Sequence, residues 1–325
     1  MESSRRDFLV ASSAAAASVA LTFRPDVASA ADGGALRLLT YADAAGAPKP
    51  GVLKPDGRIA PVAAASMLAL IGSGATGLAA ARAALAKPGG PKPGDVRLFS
   101  PIPRPERNIY AVGWNYLEHF QEGVGARTDA APQKYPDHPV FFTKGQHTMN
   151  GPYDAIPYDP AVSTMIDWEG ELAVIIGKRG RNIAEADAMS YVFGYSVIND
   201  TTARDVQQSK HGGQWFKGKS IDGHGPMGPW IVTADGLDPS DLHLQTRING
   251  VTKQDASTKQ MFFKIPRIIA ELSLGLTLEP GDVIATGTPP GVGYARKPPE
   301  FLKPGDVMET EIAGIGIIRN TIRAV

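Results

Sequence analysis

Punctuation by glycine and proline constrains this chain more than any other feature. Its 325 residues include 36 Gly and 27 Pro, about one position in five, with no collagen-like period. Long helices do not tolerate that density, because Pro removes an amide donor and Gly costs backbone entropy. One turn recurs three times, as Pro93-Gly94-Asp95-Val96, Pro280-Gly281-Asp282-Val283 and Pro304-Gly305-Asp306-Val307. In each copy Pro presets φ, Gly allows φ to be positive, and an apolar run follows. The fold class this predicts is α+β, predominantly β, built from short strands joined by tight turns.

Apolar runs predict strands at residues 36–41, 171–176, 191–198, 230–233, 244–248 and 308–312. Helical patterns are fewer: one or two short helices within residues 63–86, then 115–122, 183–189 and 265–274. Residues 292–302 read as a surface loop. The Pro- and Gly-rich stretch at 87–93 reads as a linker. It sets an expected boundary near residue 100 between a small N-terminal domain (31–100) and a larger domain (101–325).

Composition closes several functional classes. Lys and Arg number 33 against 33 Asp and Glu, with pI near 7.0, so no electrostatic footprint for nucleic acid is present. The absence of Cys excludes disulfides, zinc ribbons, thiolate nucleophiles and iron–sulfur clusters. The first thirty residues stand apart from the rest. Ser4-Arg5-Arg6-Asp7-Phe8-Leu9-Val10, a weakly apolar Ala/Ser-rich run and Ala28-Ser29-Ala30 resemble a twin-arginine signal with its cleavage site. The expectation is an exported or periplasmic protein whose mature form, from about residue 31, has no membrane span.

Glu169 and Glu171 open the apolar run Leu172-Ala173-Val174-Ile175-Ile176. A spacing of two places both carboxylates on one face of a strand. The run is apolar on both faces, so the pair stands at the edge of a buried sheet, where carboxylates require a cation. Asp200 ends a second apolar run. Three carboxylates at buried strand ends make an all-oxygen site suited to Mg²⁺, Mn²⁺ or Ca²⁺ rather than zinc. The alternative is a solvated strand face carrying unpartnered acids.

His119 and Glu122 are three apart on a predicted helix, which lets the carboxylate orient the imidazole; a casual surface pair has the same spacing. Lys144, at a strand end, could pair with a second carboxylate, but it is expected to face water. The segment from Gly213 to Ser220 satisfies the letters of a phosphate-binding P-loop. Its setting is wrong, because it lacks a preceding buried strand and Gly and Pro in residues 221–229 forbid the helix that must follow.

Five segments, in order, resemble the fumarylacetoacetate hydrolase family. They are Gly113-Trp114-Asn115-Tyr116 with His119, the run from Asp167 to Leu172, the run from Asn199 to Asp205, Gly218-Lys219-Ser220, and the run from Gly287 to Gly293. The resemblance covers roughly residues 100–325. It implies a mixed β-roll catalytic domain, commonly a homodimer, with a divalent cation, Mg²⁺ or Mn²⁺, with Ca²⁺ also suited. It also implies Glu169, Glu171 and Asp200 as metal ligands, His119 and Glu122 as a water-activating dyad, and Lys219 as the cation facing a developing oxyanion. Arg204, Gln207 and Thr288 match positions that line the family's substrate pocket. Gly170 stands where the family often has a β-branched residue, which predicts a looser strand edge.

The implied activity is hydrolysis of a carbon–carbon bond in a 1,3-dicarbonyl acid of acylpyruvate or fumarylpyruvate type, through an enolate. The same site could serve a decarboxylase, isomerase or hydratase of an oxo-acid of oxaloacetate or 2-hydroxymuconate type. A non-catalytic oxo-acid binding protein is a further alternative. In each case the partner is a small-molecule oxo-acid.

Overall fold

A computed structural model describes residues 34–42, 46–126 and 134–325. The expected export signal lies outside the described residues, as do residues 127–133. Two of the three recurrent turns behave as the sequence predicts: Gly281 at φ 92° and Gly305 at φ 95° feed the strands Val283–Ala285 and Val307–Ile312. The first differs. Gly94 sits in a 3₁₀ turn, Pro93–Asp95, ahead of the short strand Arg97–Phe99.

The strands form a large sheet of eleven, a second of five, and a small pair. Along the large sheet the order is Ile59–Pro61, Lys49–Leu53, Arg37–Ala42, Gly225–Thr233, Val192–Asn199, Gly170–Ile176, Val283–Ala285, Ile109–Gly113 and Val140–Lys144. Arg97–Phe99 and Met149–Asn150 join at the side. Strands from both sides of residue 100 therefore share one sheet, through the pairing of Arg37 with Val232. The second sheet runs Val251–Ser257, His243–Ile248, Val307–Ile312, Gly316–Ala324 and Ile156–Tyr158.

Burial on both faces explains the unbroken apolar run after Glu171. Leu172, Val174 and Ile176 pack with Leu244, Ile312 and Ile318 of the five-stranded sheet and with Ile268 of the helix Ile265–Ser273. Ala173 and Ile175 point the other way, against Leu70, Ile71 and Ala81 of the helices Met67–Gly72 and Ala75–Ala84. Both sheet faces are thus closed, and chemistry is confined to the strand ends. Among the described residues no helix is long and apolar enough to cross a membrane.

One strand is longer than its sequence predicts. Gly225–Thr233 begins five residues before the expected start at Trp230 despite Pro226 and Pro229. Its ladder with Val192–Asn199 is irregular between Tyr195 and Val197, so Pro229 falls where the ladder needs no amide. The 292–302 segment is also more ordered than a surface loop. Val292, Tyr294 and Leu302 are buried around a 3₁₀ turn, Gly293–Ala295.

Candidate metal centre and active site

Antiparallel pairing brings the acidic residues together. Gly170 faces Asn199 across the ladder, so Glu169 and Glu171 flank the end of one strand while Asp200 leaves the end of its neighbour. Asp200 N–H donates to the Glu169 carbonyl at 2.8 Å, which closes the ladder. One carboxylate oxygen from each of the three residues lies within 4.8 Å of the others, and all three residues are buried.

Three buried cations surround the triad. Lys219 Nζ bridges Glu169 Oε2 at 2.6 Å and Asp200 Oδ2 at 2.7 Å. Arg204 Nη2 lies 2.7 Å from Glu169 Oε1, and its Nε donates to Asp167 Oδ2 at 2.7 Å. The third cation is Lys144, which corrects the expectation of a water-facing lysine. Its side chain is 0% exposed, with Nζ 2.9 Å from Asp200 Oδ1 and donating to the carbonyls of Thr201 and Lys219. A lysine ends up inside because the neighbouring carboxylate and two carbonyls replace its water.

The charges divide unevenly. Burial alone would raise the Glu169 carboxyl, but Lys219, Arg204 and His119 pull it down to about 2. Burial and the adjacent Asp200 and Glu169 push Glu171 well above the usual carboxylate range. Burial works against the Lys219 ammonium, yet Asp200 and Glu169 hold it above its ordinary value. Asp167, Glu169, Glu171 and Asp200 thus set four carboxyls against three basic side chains. Burial also lowers the Lys144 ammonium from its ordinary value and raises the Asp167 carboxyl, so the excess is shared among Lys144, Asp167 and Glu171 rather than carried by Glu171 alone. A divalent cation fits here. The donor set is all oxygen, and Asp200 Oδ1, though 2.9 Å from Lys144, has no well-directed hydrogen bond.

His119 lines the same cavity as Glu169 and Glu171. His119, on the helix Leu117–Glu122, is buried, and its Nδ1 is 2.7 Å from Glu122 Oε1. In the tautomer whose Nδ1–H donates to Glu122, the lone pair lies on Nε2. The Gly-Thr-Pro-Pro-Gly turn ties this pair to the triad: Gly287 N–H donates to Glu171 Oε2 at 2.7 Å and Gly291 N–H to Glu122 Oε2 at 2.8 Å. Both glycines have positive φ, 100° and 103°. A Cβ on Gly291 would come 2.0 Å from the Lys253 carbonyl, so the turn requires glycine at that end.

His119, Glu169, Glu171 and Lys219 line one cavity together with Arg204, Gln207 and Thr288. Gln207 Oε1 accepts from Arg204 Nη1 at 3.0 Å. The Thr288 hydroxyl donates to the Gly170 carbonyl at 3.0 Å and accepts from Gln254 Nε2 at 2.7 Å. Gly170 does not loosen the strand edge. A Cβ there would meet Thr246 Oγ1 at 2.3 Å and Thr310 Cγ2 at 2.8 Å, so glycine lets the five-stranded sheet press directly on the metal-side strand.

Several residues that shape the site were not singled out from the sequence. Asp167 is fully buried and accepts from Arg204 Nε, from the N–H groups of Gly293 and Tyr294 at 2.6 and 3.1 Å, and from Trp168 N–H. The Tyr294 ring lies 4.3 Å from the Arg204 guanidinium carbon. Asn115 pins the helix carrying His119, with its amide donating to the Phe263 and Thr286 carbonyls. The available signal was the presence of Asp167 and Asn115 within the motif segments; the Phe263 and Thr286 partners of Asn115 and the Gly293 and Tyr294 partners of Asp167 lie more than one hundred residues away.

Residues 108–323 match the family model "Fumarylacetoacetate (FAA) hydrolase C-terminal". Oxaloacetate tautomerase YisK of Bacillus subtilis (strain 168) is 45% identical over 229 residues, which is 70% of this chain and 73% of that relative. The fumarylacetoacetate hydrolase from Exiguobacterium antarcticum superposes with a TM-score of 0.74 at 39% identity, covering 89% of this chain and 100% of that one. Maleylpyruvate hydrolase from Sphingobium sp. SYK-6, solved with manganese(II) and pyruvate, gives a TM-score of 0.71 at 31% identity, covering 89% and 99%. The carboxylate triad, the histidine–glutamate pair and the glycine-ended turn therefore sit on a shared fold, and the chain belongs to the fumarylacetoacetate hydrolase family.

Proposed function

We propose that this protein is a divalent-cation-dependent enzyme that converts a 2-oxo acid through its enolate, with His119 moving the proton. The observation that carries the reading is the 2.7 Å contact of His119 Nδ1 with Glu122, with His119 lining the same cavity as Glu169 and Glu171 of the buried triad they form with Asp200. Those three side chains would hold Mg²⁺ or Mn²⁺, which would supply Lewis-acid polarisation of the oxo group. The neighbour solved with manganese(II) and pyruvate supports the ion class and the pyruvoyl head.

The chain's own groups then divide the work. His119 Nε2 removes a proton from the carbon beside the oxo group, and Glu122, held by Gly291 N–H, stabilises the imidazolium that results. Arg204 and Gln207 face the substrate carboxylate. Lys219 supplies positive charge where the enolate oxygen develops. Returning the proton to the enolate oxygen gives keto–enol tautomerisation, and returning it to a more distant carbon of a conjugated enolate gives double-bond isomerisation; the first outcome is supported by a 45% identical relative named as an oxaloacetate tautomerase.

A second reading, hydrolytic cleavage of a 1,3-dicarbonyl acid, is favoured by the dyad itself. A histidine oriented by a carboxylate can instead deprotonate water. An assay of Mn²⁺-loaded protein against oxaloacetate, acylpyruvates and muconate-type acids separates the two. Isomerisation without cleavage supports the first reading, cleavage supports the second, and binding without turnover of any acid refutes both. Export through residues 1–30 and a homodimeric assembly are also proposed. The first rests on Arg5-Arg6 and Ala28-Ser29-Ala30 and fails if a reporter fused to residues 1–35 stays in the cytoplasm. The second rests on the family and fails if sedimentation gives a monomer.

A further inference from the structure

The P-loop look-alike has a place in the site that its letters do not suggest. His211, Gly212 and Gly213 take φ of 55°, 65° and 75° in succession, a left-handed run that reverses the chain. That reversal delivers Trp215 into the cavity shared by His119, Glu171 and Arg204. The Trp215 ring packs edge-on to Trp114, with centroids 4.7 Å apart, and to Phe142 at 5.2 Å. Its six-membered ring lies directly on the backbone of Gly113, where a built Cβ would meet Cζ3 at 2.4 Å. Glycine at 113 is therefore what lets the indole come this close.

Two kinds of side chain line the cavity: the charged Glu169, Glu171, Arg204 and Lys219, and the aromatic Trp114, Phe142 and Trp215. They meet where Lys219 Nζ lies 5.1 Å from the Phe142 ring centroid. With the indole in place, the free volume is ≈ 20 Å³, enough for about one water. An oxo-acid head held by the charged groups would have to share the remaining space between its chain and these rings, which limits the size of that chain. Trp215 also begins the short helical turn that carries Lys219, whose N–H donates to the Trp215 carbonyl at 3.1 Å. One turn thus carries both an aromatic and a charged lining residue.

We infer that Trp215 is the specificity-determining residue of this site, restricting it to compact oxo-acids and excluding those with a bulky acyl tail. The inference rests on the oxo-acid reading above, but its test reads binding and so can fail separately. Affinities of the Mn²⁺-loaded protein are measured by calorimetry for acetylpyruvate, a compact 2,4-dioxo acid, and for benzoylpyruvate, which has the same head and an aromatic tail. Trp215→Ala should bind benzoylpyruvate at least tenfold more tightly than the unaltered protein does, with acetylpyruvate affinity changed less than threefold. Trp215→Phe, which keeps an aromatic edge against Trp114, should shift the ratio the same way by a smaller factor and serves if the alanine variant does not fold. An unchanged ratio in the variants overturns the inference and leaves the proposed function standing, as does tight benzoylpyruvate binding by the unaltered protein. A shifted ratio without turnover of either acid supports the inference and removes the catalytic reading.

Discussion

Replacing Lys144 by Met removes one charge from the interior and keeps nearly the same volume. In the native structure Nζ compensates Asp200 Oδ1 at 2.9 Å and satisfies the Thr201 carbonyl at 3.1 Å together with that of Lys219. Lys144→Met leaves the two carbonyls buried without their donor and Asp200 Oδ1 without the nearby ammonium. Removing one partner of a buried ion pair costs about 3–5 kcal/mol, because the remaining charge stays uncompensated. Lys219 still contacts Asp200 Oδ2, which places the expected loss at the lower end of that range. In a chain of this size, with an unfolding entropy of about 0.7 kcal/mol/K, a loss of about 3 kcal/mol corresponds to a fall in Tm of roughly 4–5 °C. Thermal unfolding in a chelator reads this directly. A divalent cation on the triad would replace the missing charge, so saturating Mn²⁺ should recover more stability in the variant than in the unaltered protein. An unchanged Tm in chelator, or equal stabilisation of both proteins by Mn²⁺, would refute the assignment of Lys144 as a counter-charge of the triad.

Other substitutions test neighbouring parts of the account. Gly170→Ala should lower both stability and Mn²⁺ affinity, since the added methyl meets Thr246 Oγ1 at 2.3 Å; overpacking of this kind costs about 1–3 kcal/mol, read by urea unfolding and calorimetry. His119→Gln should reduce kcat by about 10²–10⁴ with Mn²⁺ binding unchanged, and equal losses of both would point to structural damage instead. Burial lowers the His224 imidazole to about 4 while its Nε2 donates to the Pro157 carbonyl at 2.8 Å. The unfolded chain therefore binds the extra proton first as pH falls. Stability should decline from about pH 6.5 down to pH 4 by up to about 3 kcal/mol from this group, and His224→Gln should flatten that limb of the unfolding profile.

The acidic triad was legible because its evidence is local. A two-residue spacing at the mouth of an apolar run places Glu169 and Glu171, and Asp200 ends the next run that pairs with it. His119 and Glu122 share one helical turn, so their contact also follows from spacing. Lys144 was misread for the opposite reason. Its burial depends on Asp200, Thr201 and Lys219, and nothing within five residues of it signals a counter-charge. Asp167 likewise holds Arg204 and also accepts from the turn at Gly293 and Tyr294, more than one hundred residues further along the chain. Gly170 reads as a weak point in a lone strand, and only the second sheet pressing on it shows why a side chain is excluded there. Local pattern therefore carries elements and motif residues, whereas the sharing of charge and space among them is set by long-range packing.

The most direct measurement follows the enol absorbance of oxaloacetate, with acetylpyruvate in parallel, while chelator-treated protein is titrated with Mn²⁺. The account predicts no acceleration in chelator, conversion of at least one acid that saturates at one ion per chain, and loss of both ion binding and conversion in Asp200→Ala. Full conversion in chelator, or an Asp200→Ala protein that keeps its Mn²⁺ and its activity, would contradict the account.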